Sequence, residues 1–185
     1  MSRQELGHSP DEAGEVALRD ARQRGEIVKC LAVRCMQTKF LFAHVVPIKG
    51  ADEEDYAATL VVNDILWLGH VELIVRGDNE RSLQKLVTRS LDVLRVRARD
   101  HEESSLEKVS REQPPAYDSQ ANGVIETGIR FMRGFFRTLR MWLEAIIGVQ
   151  VPIQHALVPW LLQRTALLLN VQSRLSDGQT PWSRV

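Results

Sequence analysis

Val71-Glu72-Leu73-Ile74-Val75-Arg76-Gly77-Asp78-Asn79-Glu80 is the stretch that decides the fold class. Val71 to Val75 is rich in aliphatic and β-branched side chains and reads as a buried strand, which Arg76-Gly77-Asp78-Asn79 ends. Helical spacing begins at once, through Leu83, Leu86, Val87 and Leu91 over Glu80 to Leu91. On the other side, Tyr56, Leu60, Ile65 and Leu68 repeat at helical intervals over Asp52 to Leu68, after an acidic start and before Gly69. A strand set between two such helices predicts an α/β domain.

Working outward, Ile27 to Val33 and Phe40 to Val46 are apolar runs separated by the polar Arg34 to Lys39, which predicts a β-hairpin ended by Pro47 and Gly50. Val93 to Ala98 reads as one more short strand, and the Ser- and Pro-rich residues 99–119 as an exposed loop. From Asn122 the pattern is helical to Ile147, and a last helix is expected from about Pro152 to Asn170, kinked at Pro159. The expected architecture is a mixed sheet flanked by helices, with a long C-terminal helical region. Residues 1–26 read as a poorly defined leader or a degenerate first strand, and 27–182 as the domain.

Composition narrows the function classes. The chain has 185 residues, 44% hydrophobic and 26% charged, with 24 basic and 24 acidic side chains, enough apolar content for a packed core without metal or disulfide staples. Cys30 and Cys35 are too few for a disulfide framework and lack zinc-ligand spacing, so a reducing compartment, cytoplasmic or nuclear, is expected. Met1 to Ser9 has no apolar core of the secretory kind, and Ile146 to Leu169 is interrupted by Gln150, Gln154, Arg164 and two prolines, so no membrane association is expected. The sequence has no Walker A, GxSxG or GxGxxG pattern, and no organic cofactor is expected. Charge is unevenly spread: residues 1–120 hold 17 basic and 21 acidic side chains, whereas 121–185 hold 7 and 3. The positive excess therefore sits in the C-terminal helices.

Two carboxylates stand where chemistry is plausible. Asp78 follows a strand end, where open α/β sheets place ligands, and a carboxylate there can hold a metal; it can equally cap the following helix. Glu126 lies in the first turns of the long helix, after Gln120-Ala121-Asn122-Gly123. At about 100° per residue, Arg130, Arg133, Arg137 and Arg140 all fall within about 40° of Glu126. The stripe Ile125, Ile129, Met132, Phe136, Leu139 and Leu143 is centred about 100° away and predicts the buried side, widened by Phe131, Phe135 and Trp142. One carboxylate followed by four arginines suits a metal near the helix start and phosphates along its length, although Glu126 and Arg130 alone also make an ordinary i,i+4 pair.

Leu73-Ile74-Val75-Arg76-Gly77-Asp78-Asn79-Glu80 and Asp118-Ser119-Gln120-Ala121-Asn122-Gly123-Val124-Ile125-Glu126 resemble, in order and spacing, the second and third acidic motifs of retroviral and retrotransposon integrase catalytic domains. Ala43-His44-Val45-Val46-Pro47-Ile48-Lys49-Gly50, Leu68-Gly69 and Asp177-Gly178-Gln179-Thr180-Pro181 add supporting matches, so that the resemblance spans roughly residues 27–182. It implies an RNase H-like fold and a DDE triad that binds two Mg²⁺ or Mn²⁺ ions to cut and join DNA. By motif, Asp78 would be the second ligand and Glu126 the third. Gln120 and Asn122 would lie close to DNA, with Arg130 and Arg133 meeting its end. The family's first Asp has no matching motif here; Asp20, in Val16-Ala17-Leu18-Arg19-Asp20, stands at about the right distance, in a stretch that also suits a short surface helix. The implied partners are DNA and further copies of the chain, in a retrotransposon-type polyprotein. A non-catalytic binding module on the same fold is the alternative.

Overall fold

The computed structural model describes residues 27–100, 106–112 and 119–185; the side chains of 98–100 and 119–122 are outside that description. The hairpin forms as expected: β1 (Lys29–Arg34) pairs antiparallel with β2 (Leu41–Val46), in a register that sets Leu31 opposite His44 and Ala32 opposite Ala43. Helix α1 (Tyr56–Leu68) follows, its first turn held by the Asp52 carboxylate, which accepts the Tyr56 and Ala57 amides at 2.6 and 3.0 Å. β3 (Glu72–Arg76), α2 (Arg81–Asp100), β4 (Lys108–Glu112), α3 (Ser119–Ile147) and α4 (Leu157–Gln172) complete the order.

The hairpin is the middle layer. Strand alternation sends Leu41, Ala43, Val45 and Ala32 to one face, where they pack on Met132 of α3 and on Leu162 and Ala166 of α4. Val46 and Leu31 face the other way, onto Ala57 and Ala58 of α1 and Leu86 of α2. β3 and β4 form a second, parallel pair. The thiol of Cys35 and the ring of His70 meet at 3.2 Å, tying the end of β1 to the approach to β3. The α/β class and the helical C-terminal region thus match the expectation, but the strands among the described residues form two two-stranded sheets.

Four local expectations are corrected. Val93 to Ala98 is not a strand: α2 continues to Asp100, because Ser90, Leu91 and Leu94 carry on the buried helical stripe begun by Leu86, and this packing overrides the β-branched bias of Val93 and Val96. The loop expected over 99–119 contains β4, whose Val109 pairs with Leu73 in a parallel register that local sequence does not reveal. Pro159 does not kink the last helix. It sits in the first turn of α4, where the absent N–H costs nothing, and the helix starts at Leu157. Phe131 and Trp142 do not widen the buried face, being 64% and 62% exposed. In addition, Cys30 is exposed, and β3 is half-buried on alternate residues, with Ile74 facing out. No helix among the described residues is long and apolar enough to cross a membrane.

Candidate nucleic-acid interface and acidic site

The two segments that carry the candidate residues are each fixed by contacts from the hairpin. The turn after β3 is held from the Pro47–Gly50 loop: Lys49 pairs with Glu80 at 2.5 Å, and Gly50 lies against the first turn of α2. Gly50 has φ of 103°, and a Cβ there would stand 2.9 Å from the Ser82 carbonyl oxygen, so only glycine fits. Lys49, and then the Ser82 hydroxyl, hold the Glu80 carboxyl below its ordinary range. This explains physically why Lys49-Gly50 accompanies the Asp78 motif.

Within that turn Asp78 is exposed. Its Oδ1 accepts the Asn79 amide at 2.7 Å, and its carbonyl accepts Gln84 Nε2 at 2.8 Å. The carboxylate thus bonds its own turn, three residues before α2 begins.

The start of α3 is anchored by a residue that the sequence motif does not mark. Arg34, at the end of β1, donates from Nη1 to the Val124 carbonyl at 2.6 Å. Gly128, one turn on, makes room for it: a Cβ there would come within 2.7 Å of the same nitrogen. Partial burial pulls the Arg34 pKa down, and the bond to Val124 compensates for part of that desolvation. The only sequence signal for this anchor is a glycine inside an otherwise strong helical pattern.

From that anchored start, α3 carries Glu126, Arg130, Arg133 and Arg137 on one side, all exposed. Arg130 to Arg137 spans seven residues, about 10 Å of helix. Arg140 differs. It donates to Glu144 Oε1 at 2.9 Å and to the Val151 carbonyl at 2.7 Å, while the same Glu144 oxygen accepts the Val151 amide at 2.9 Å. Arg140 and Glu144 together grip both backbone groups of Val151 and close the corner between α3 and α4. The Val151 amide, more than Arg140, holds the Glu144 carboxyl below its ordinary range.

Gln120 and Asn122 lie in the first turn of α3, but their side chains are outside the described residues, as is the whole of Asp20. Among the described residues, no group of three His, Cys, Asp or Glu side chains comes together as a metal site would require. Asp78 and Glu126 carry hard oxygen donors of the kind that Mg²⁺ and Mn²⁺ prefer. A separate polar pair lies largely buried between β2 and α1, where His44 Nε2 and Asp64 Oδ2 stand 2.8 Å apart. Burial pushes the Asp64 carboxyl up, and the His44 bond only partly offsets this.

With this geometry in place, comparison with known proteins concerns the fold. No protein-family model matches the chain, and no curated protein does. Among solved structures, the catalytic core domain of BIV integrase is similar, with a TM-score of 0.51 and 17% identity over 84% of each chain. At that identity the likeness concerns architecture alone: the chain has an integrase-core-like α/β fold.

Proposed function

We propose that this protein is an integrase-type catalytic domain of a retrotransposon polyprotein, which binds DNA along α3 and joins DNA strands with the help of divalent cations. One observation carries the reading: α3 presents Glu126 and then Arg130, Arg133 and Arg137 on a single exposed face, on a fold of the integrase-core kind. Three forked cations in line at a helix surface suit a phosphate backbone, and they give affinity without base specificity. Arg140, committed to the α3–α4 corner, is the least suited of the four arginines to meet DNA.

Asp78 and Glu126, with Asp20 as the family motif would have it, are the residues that would hold Mg²⁺ or Mn²⁺. Bound there, the ions supply Lewis acidity at the phosphoryl group undergoing displacement. The chain's own residues do the rest. The arginine face would hold the backbone in register, Gln120 and Asn122 would be close to the DNA as the family motif has them, and Arg34 keeps the Glu126 turn fixed on β1.

Strand transfer of labelled duplex ends in Mn²⁺ tests the reading. Wild type is expected to join strands, and Asp78→Asn and Glu126→Gln to abolish joining. Turnover that survives both substitutions would remove these residues from the mechanism. A second reading, a non-catalytic nucleic-acid-binding module, is favoured by the way Asp78 Oδ1 serves its own turn through Asn79. It predicts salt-sensitive duplex binding that disappears in Arg133→Glu with Arg137→Glu, together with no Mn²⁺ heat that Asp78→Asn removes.

A further inference from the structure

The turn that closes the hairpin carries a nucleophile that the acidic site does not use. Cys35 follows β1 directly, and its amide donates to the Phe40 carbonyl at 2.9 Å, which fixes its backbone across the turn. Two groups converge on its sulfur. The Thr38 amide donates to Sγ at 3.4 Å from the same turn, and His70 Nε2 stands 3.2 Å away on the approach to β3. The thiol and the ring are both half-buried, so a small molecule can reach them. Cys30, on β1, is the contrast within the same chain: it is more exposed, and its sulfur donates to the Val28 carbonyl at 3.9 Å. A donating sulfur keeps its proton in the bond, whereas Cys35 has a base at hydrogen-bond distance and an amide placed to stabilise a negative sulfur.

We propose that Cys35, with His70 as its base, is a modification site for low-molecular-weight disulfides of the glutathione type, which it joins as a mixed disulfide. With its own proton on Nδ1, the His70 ring takes the thiol proton at Nε2. Cys35 Sγ then attacks one sulfur of the disulfide. A bond forms between these two sulfurs, the reagent's S–S bond breaks, and the second sulfur leaves as a thiolate that takes the proton from the imidazolium. The disulfide is the oxidant, and one free thiol is released for each adduct.

Distance rules out an internal partner. Cys30 and Cys35 are separated along an extended strand by about 16 Å, at ~3.3 Å per residue, against a limit of ~7 Å between the Cα atoms of a disulfide. Among the described residues no third His, Cys, Asp or Glu joins the pair, which leaves it short of the ligand set of a zinc site. A thiol with a base but neither an internal partner nor a metal set suits an external sulfur. The adduct stands one residue after Arg34, whose Nη1 holds the Val124 carbonyl, and so lies beside the anchor of the Glu126 turn. The inference does not depend on strand-transfer activity.

Stopped-flow reaction of the full chain with the aromatic disulfide DTNB at neutral pH tests it. In Cys30→Ser, which leaves Cys35 as the one thiol, the folded chain is expected to react at least ~3-fold faster than the same chain unfolded in urea, because the base raises the reacting fraction while lower nucleophilicity offsets part of the gain. Half-burial alone would slow the reaction. This comparison leaves His70 intact. Cys35→Ser, which reports on Cys30, is expected to react no faster folded than unfolded. His70→Gln added to Cys30→Ser, with an unchanged circular dichroism spectrum, is expected to remove the acceleration. With glutathione disulfide, mass spectrometry of the wild-type chain is expected to place one glutathionyl group on Cys35 and none on Cys30. A folded Cys35 that reacts more slowly than the unfolded one would overturn the proposal. So would acceleration that survives His70→Gln, or a glutathionyl group on Cys30 in place of Cys35.

Discussion

Asn170, near the end of α4, binds both backbone groups of Leu41 at the start of β2: its Oδ1 accepts the Leu41 amide at 2.9 Å and its Nδ2 donates to the Leu41 carbonyl at 2.8 Å. The side chain is 2% exposed and acts as a one-residue strand on the outer edge of the hairpin. Asn170→Ala leaves two buried backbone groups without partners, and is expected to cost about 2–4 kcal/mol. Urea unfolding checks it; a loss below about 1 kcal/mol would mean that water replaces the amide, which at this depth is not expected.

Arg137 and Arg140 are one turn apart on α3 and are expected to behave differently. Arg137→Ala should weaken duplex binding and reduce the slope of log affinity against log salt by about 0.9, one phosphate contact, with stability unchanged. Arg140→Ala should leave that slope alone and lower the melting temperature, because it opens the contact with Val151. Equal slope losses in the two variants would place both on the DNA.

Glu144 makes the α3–α4 corner sensitive to acid. Its folded pKa lies below the ordinary value, so its contribution is present above the unfolded pKa of about 4.3 and is lost as pH falls through the depressed folded value. Glu144→Gln keeps an acceptor for the Val151 amide but does not titrate. Thermal midpoints between pH 7 and pH 3 are expected to fall less steeply for Glu144→Gln than for wild type; parallel curves would exclude Glu144 from the acid limb.

Asp64 has the opposite sign. Burial raises its folded pKa above the unfolded one, so its favourable contribution is complete below the ordinary carboxylate range, about 3.9, and is lost as pH rises through the folded value. Asp64→Asn, able to keep a bond to His44 without ionising, is expected to gain stability relative to wild type as pH rises. Asp64→Ala strands a buried imidazole whose Nδ1 already lacks a partner, and is expected to lose about 2–4 kcal/mol at neutral pH. Chemical unfolding of both variants at pH 5 and pH 8 reads the two effects separately.

Much of the chain was legible from local sequence because its signals are local. The hairpin, α1 with its stop at Gly69, and the long helix carrying Glu126 and the arginines follow from periodicity and from turn residues. The one-sided placing of Arg130, Arg133 and Arg137 needed only the helical repeat. Local sequence therefore encodes the class of the fold, the helices α1 and α3, and the order of charges along α3. Partners far apart in the chain were decided by the tertiary structure. Lys108 to Glu112 is too polar to announce a strand, and becomes one by pairing with β3. Val93 to Ala98 has strand-like residues, yet lies in α2 because Leu94 completes a stripe against the rest of the core. Arg140 looks like its neighbours until Val151 comes round to meet it, and Phe131 and Trp142 look like core until the hairpin proves wide enough for only one face of α3. In each case burial and hydrogen bonding depend on what packs opposite, which no local window of sequence contains.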